Sequence, residues 1–207
     1  KSNRYEYAVA ALNAAVEKDP ENPRVRITLA RALAAVGRFN SAQAQVQSVL
    51  EVTPENIEAL ALGARIAYAR GEPEQADGFL KQIDPAQVDA EADPALAAQV
   101  YLTRGELEKA AQICTDAITS GNFSPMLRLV LAGIYQERGD DERAEEHLVA
   151  LIRHFPNSSE AFAWLSQYYA RSGQAQRGLV QLEEMEAYNK PLAILARAGL
   201  LKSIGRA

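Results

Sequence analysis

Gly37-Arg38-Phe39-Asn40-Ser41-Ala42 is the stretch that decides the fold, because its outline returns every 34 residues. Gly71 to Ala76, Gly105 to Ala110 and Gly139 to Ala144 keep the same spacing, and Gly173 is followed at that spacing by Gly178. Five glycines in register, out of 12 in the chain, form a column that composition alone does not produce. Self-similarity at a fixed period of this length marks a repeat array, in which each unit buries its apolar face only against its neighbours.

Working outward, each unit is numbered so that this glycine is position 15, which puts Pro23 at position 1 of the first complete unit. Proline suits a first helical turn, where its missing N–H has no intrahelical partner to lose. Helical spacing then runs to Val36, and Gly37 is expected to end the helix in the left-handed conformation. A second helix is predicted from about Asn40 to Val52, stopping at Pro54. The full units are 23–56, 57–90, 91–124, 125–158 and 159–190. Residues 1–22 form a half repeat, one helix with Tyr5, Ala8, Leu12 and Ala15 at helical spacing before Asp19-Pro20. Residues 191–207 supply a last helix, predicted from Leu192 to Ile204, in which Ile194, Ala198, Leu201 and Gly205 match the first helix of a sixth unit. In the second unit Pro85 cuts the second helix short, and Asp84 to Pro94 reads as an acidic turn that replaces helix without changing the period. The fold class predicted is all-α, with 1–207 as a single array.

Two columns are small in every unit: Ala30, Ala64, Ala98, Ala132 and Ser166 at position 8, and Ala42, Ala76, Ala110, Ala144 and Gly178 at position 20. Helix axes approach closely only where both sides lack bulk. Helices of about 14 residues are marginal alone in water, so stability must come from packing within and between units.

Composition narrows the function. A formal net charge of -5 and a pI near 5.2 argue against a phosphate-binding surface, so nucleic acid is not an expected partner. No apolar run is long enough to span a bilayer. The single cysteine, Cys114, allows no intrachain disulfide and fits the cytoplasm or the periplasm equally. Arginine outnumbers lysine 16 to 6, which with the abundant alanine points to a bacterial protein from a GC-rich genome.

These columns resemble the tetratricopeptide repeat family, whose consensus has small residues at positions 8 and 20, glycine near 15, larger apolar residues at 7, 11, 24 and 27, and proline at 32. Proline stands at 32 here only as Pro20, Pro54 and Pro156, and the usual aromatic at position 4 appears only as Phe162. The resemblance implies an α-solenoid of antiparallel helix pairs, stacked in a right-handed superhelix whose first helices line a concave groove for peptides or partner proteins. The lysine and asparagine clamp of the family's chaperone-binding members is absent, because position 5 is apolar throughout and position 9 is Arg31, Arg65, Gln99, Gly133 and Gln167.

No enzyme motif is present, and the chain is read as non-catalytic, with no cofactor and no metal. Asp140, Asp141, Glu142, Glu145, Glu146 and His147 have ligand chemistry, but carboxylates are expected at a helix N-terminus for its dipole alone. Cys114 falls in the position 24 column with Val46, Leu80, Leu148 and Leu182 and reads as a buried small hydrophobe. The candidate groove residues are Arg24, Arg31, Arg65, Tyr68, Gln99, Leu102, Gln136, Trp164 and Gln167. Arg31 and Arg65 share position 9 on successive first helices, an arrangement suited to bidentate binding of carboxylates. The function expected is thus an interaction scaffold whose partner is a protein segment, acidic toward the N-terminal half of the groove. Two other readings stand beside it: the repeat region of a larger bacterial enzyme or polysaccharide-export protein, and a solenoid that self-assembles through uncapped ends. The apolar end faces also lead to the expectation that this chain is part of a longer array.

Overall fold

The computed structural model describes residues 2–205, with side chains from Tyr5 onward. The chain forms two compact units, residues 1–106 and 107–207. Among the described residues there is helix and no strand. The first unit contains α1 (Ser2–Lys18), α2 (Pro23–Ala35), α3 (Phe39–Val52), α4 (Ile57–Arg70), α5 (Pro73–Lys81), a 3-10 turn (Pro85–Gln87) and α6 (Pro94–Thr103). The second contains α7 (Leu107–Thr119), α8 (Pro125–Glu137), α9 (Asp141–His154), α10 (Ser159–Arg171), α11 (Ala175–Glu184) and α12 (Glu186–Ser203). Helices adjacent in sequence pack on each other within each unit, and α2 also meets α4, as α10 meets α12.

Helix ends fall where the punctuation residues put them. Asn22, Asn56, Asp93, Asp140 and Ser158 each accept a backbone N–H of the following first turn, satisfying donors a helix leaves unpaired. The glycine column adopts φ from +70° to +79° at Gly37, Gly71, Gly105, Gly139, Gly173 and Gly205, where a Cβ is strained.

Two local departures from the regular pattern have physical causes. The stretch after α5 is a turn, as expected, and its acidic residues are spent on it: Asp84 accepts Ala86 N–H, and Asp89 accepts the N–H groups of Glu91 and Ala92. Arg104 donates to the carbonyls of Ile83 and Lys81, closing the early helix end. The last helix begins at Glu186, six residues earlier than predicted, but it breaks at Asn189, whose φ is -157° and ψ 95°. The Asn189 side chain then caps Leu192 N–H at 3.2 Å, so the helix predicted from Leu192 is the part beyond the break.

The small columns are buried. Ala30, Ala42, Ala98, Ala110 and Ala144 have no exposed surface, and Cys114 is equally enclosed in its column. Where a column is underfilled, a neighbour compensates. Gly63 occupies position 7, a large-residue position, and the Phe79 ring fills the space, 3.1 Å from where a Cβ on residue 63 would stand.

Candidate functional site

The first unit carries an open, largely apolar cleft of about 570 Å³. Tyr5, Ala8 and Leu12 of α1 form one wall, and Phe39 closes an end. The floor is a repeated motif: Thr28, Arg31, Ala32 and Ala35 on α2 and, 34 residues on, Leu62, Arg65, Ile66 and Ala69 on α4. Positions 6, 9, 10 and 13 of two successive first helices thus face one space. The cleft sets two guanidinium groups against apolar surface.

The two arginines differ in engagement. Arg31 donates to Glu58 at 2.6 Å, with both side chains about half exposed. Such a surface pair is worth roughly 0–1 kcal/mol, so Glu58 holds Arg31 only weakly. Arg65 is exposed, and among the described residues no ion pair holds it. Glu58 was not among the candidate residues, although its placement at position 2 of the next unit was legible as a signal.

The other candidates are distributed over both units. Arg24 is exposed at the start of α2, outside the cleft lining. Tyr68 donates its hydroxyl to Asp77 on α5 at 2.9 Å, and burial and that carboxylate push its pKa up. Gln99 and Leu102 are half-buried on α6. In the second unit Gln136 is half-buried on α8, and Trp164 packs against the core of α8 to α12. Gln167 is exposed and lines a second cleft of about 290 Å³ between α10 and α12, with Ala163, Ala170, Leu192, Leu195 and Gly199. No charged side chain lines that one. Arg31 and Arg65 are therefore the pair brought into one cleft.

Side chains with catalytic chemistry have structural employment. Burial alone pushes the Cys114 thiol up to about 12, so the thiolate is scarce. Asp141 accepts the Tyr168 hydroxyl at 3.0 Å and the Gln174 amide, and Glu145, nearly enclosed, pairs with Arg177 at 2.6 Å. Among the described residues no group of His, Cys, Asp and Glu is placed to hold a metal ion. Among the same residues no helix is long and apolar enough to cross a membrane.

His147 stacks on Tyr135 with 5.6 Å between ring centroids, and Arg143 lies over the same tyrosine. Burial first, then the Arg128 charge, lowers the His147 pKa, with Glu146 opposing. The folded state therefore binds fewer protons than the unfolded one as pH falls through the ordinary histidine range near 6.5. This contribution to stability is full above that range and is lost as pH drops toward the folded pKa. Urea midpoints between about pH 7.5 and 5.5, around that unfolded value, should fall for the wild type and flatten in His147→Gln.

The fold and the cleft define a class, the helix-pair repeat proteins. Within it the chain has the tetratricopeptide-repeat fold, and the profile of the tetratricopeptide repeat family matches residues 1–66. A tetratricopeptide repeat protein from Parabacteroides merdae matches with a TM-score of 0.56 and 15% identity, over 96% of this chain and 78% of that one. YrrB, described as a tetratricopeptide repeat protein with an unusual peptide-binding site, matches with a TM-score of 0.52 and 17% identity, over 91% of this chain and 98% of its own. Yeast Tom70 matches with a TM-score of 0.55 and 14% identity, over 98% of this chain and 44% of Tom70. No curated protein matches the chain.

Proposed function

We propose that the protein is a non-catalytic interaction scaffold whose N-terminal unit receives an acidic, partly apolar segment of a partner protein. The observation that carries this reading is the shared cleft: an apolar wall from α1 beside a floor on α2 and α4 that holds Arg31 and Arg65 at the same repeat position. Apolar side chains of the segment would enter between Leu12 and Ile66, while its carboxylates meet the guanidinium groups in charge-assisted hydrogen bonds. Arg65 receives first, and Arg31 exchanges Glu58 for the ligand. Binding a segment through two guanidinium groups needs no reacting atom, which accords with the structural employment of Cys114 and the carboxylates of α9. The peptide-binding site attributed to YrrB supports this use of the fold.

The test uses a fluorescein-labelled, end-capped peptide of alternating leucine and glutamate, with a leucine–lysine peptide as control. Anisotropy should show binding of the acidic probe only. Arg65→Ala is expected to weaken it by about fivefold or more, roughly the loss of one charge-assisted bond, and Arg31→Ala by less. The double variant should also flatten the salt dependence. Equal affinity of wild type and double variant would remove the cleft from the reading.

A further inference from the structure

We infer that Glu58 is the specificity-determining residue of the cleft that holds Arg31 and Arg65: it reserves Arg31, so that the site takes a segment with one carboxylate among apolar residues and gains little from a second. The inference rests on the acidic-segment reading and names the class of segment that the site accepts.

The asymmetry between the two arginines is set by the repeat. For Arg31 the residue 27 positions later, at position 2 of the following unit, is Glu58, and the two side chains meet at 2.6 Å between α2 and α4. For Arg65 the same step leads to Ala92, which lies in the turn ahead of α6 and has no carboxylate to offer. One guanidinium of an otherwise equivalent pair is thus neutralised from within, while among the described residues no ion pair holds the other.

Glu58 is kept in place by more than Arg31. It is the acidic residue in the first turn of α4, where the helix dipole favours a carboxylate, and Asn56 fixes the start of that turn by accepting Ala59 N–H at 2.9 Å. A ligand carboxylate that draws Arg31 away therefore leaves Glu58 behind as a neighbouring charge of the same sign. The pair itself is weak, since both partners are about half exposed, so Glu58 does not close the site. What it removes is the advantage of a second carboxylate. Among the described residues that line the cleft only the two arginines are charged, so nothing else there compensates a surplus carboxylate. Leu62, Ile66 and Ala69 supply apolar floor, which suits the side chains that flank a single acidic residue.

The test uses two end-capped, fluorescein-labelled leucine–glutamine peptides of equal length, one with a single central glutamate and the other with glutamate in place of every glutamine. Anisotropy gives the ratio of their affinities, in which the label and the number of binding registers cancel between proteins. Glu58→Gln, a conservative change at a half-exposed site, should raise that ratio about threefold to fivefold over the wild type, the upper range for a surface ion pair, with unchanged circular dichroism. In an Arg31→Ala background Glu58→Gln should leave the ratio where it was, because the effect passes through that guanidinium. A ratio equal in wild type and Glu58→Gln, with binding still weakened by Arg65→Ala, overturns this inference alone. A rise that persists without Arg31 overturns it as well, since Glu58 would then act only as a general charge. Failure of both peptides to bind either protein more tightly than the all-glutamine parent removes the acidic-segment reading, and the role of Glu58 with it.

Discussion

Phe162→Ala is expected to lower the stability of the C-terminal unit by about 3–5 kcal/mol, the usual range for removing a buried large aromatic. Phe162 occupies position 4 and is 1% exposed, in the core that α8 to α12 share. Truncation there loses the transfer energy of the ring and leaves a void that neighbouring helices cannot fill without moving. The same position in the first unit gives a contrast. Arg26 holds it by hydrogen bonds to Pro20 carbonyl and the Gln45 side chain, and it is only half-buried. Arg26→Ala should therefore cost about 1 kcal/mol, the value of a net hydrogen bond or two. The chain's one tryptophan, Trp164, sits in the affected core, so its fluorescence reports that unit during urea unfolding. A Trp164-detected midpoint for Phe162→Ala no lower than that of the wild type would mean that Phe162 does not anchor this core.

The periodic part of this architecture was legible because each recurring residue answers a local requirement. Gly37 and its column must be glycine to take positive φ, and Asn22 or Ser158 must be polar to satisfy a helix N-terminus, so these residues announce themselves without tertiary information. Pro85 and the acidic turn were readable for the same reason. What the period could not carry is the choice made by each long side chain at an exposed position. Position 9 places Arg31 and Arg65 on matching faces, yet whether each guanidinium is held depends on Glu58, a residue 27 positions from Arg31. Position 12 likewise placed Tyr68 as a groove candidate, but its hydroxyl goes to Asp77. The break at Asn189, by contrast, was readable: the unit boundary at 190 and the helix start at Leu192 fall beside it, and Asn189 caps that start. Local backbone demands are written in residue type, while side-chain partnerships between helices, 9 residues apart for Tyr68 and Asp77 and 27 for Arg31 and Glu58, are not.

Gly178→Ala separates two opposing effects and is expected to destabilise the same unit. In an exposed helix the change would help, since alanine is favoured over glycine by about 0.5–1 kcal/mol. At 178, however, a Cβ would stand 2.5 Å from Tyr169 Cγ and 2.6 Å from its Cβ. Those atoms are the root of a fully buried side chain, which cannot swing aside as a flexible tip would. Overpacking of this kind costs about 1–3 kcal/mol and should outweigh the propensity gain. Tyrosine at position 11 is not sufficient to demand glycine at 20, because Tyr135 coexists with Ala144. The difference is orientation: Tyr135 is half-buried and stacks outward on His147, whereas Tyr169 is turned inward onto α11 with no exposed surface. The pair should therefore be coupled. In a Tyr169→Leu background, which recreates the Leu33 and Ala42 pairing of the first unit, the cost of Gly178→Ala should shrink by about 0.5–3 kcal/mol, the range seen for residues in contact. Trp164-detected urea midpoints for the four proteins of this cycle decide it: an unchanged cost of Gly178→Ala in both backgrounds would show that the Tyr169 ring is not what holds position 178 to glycine.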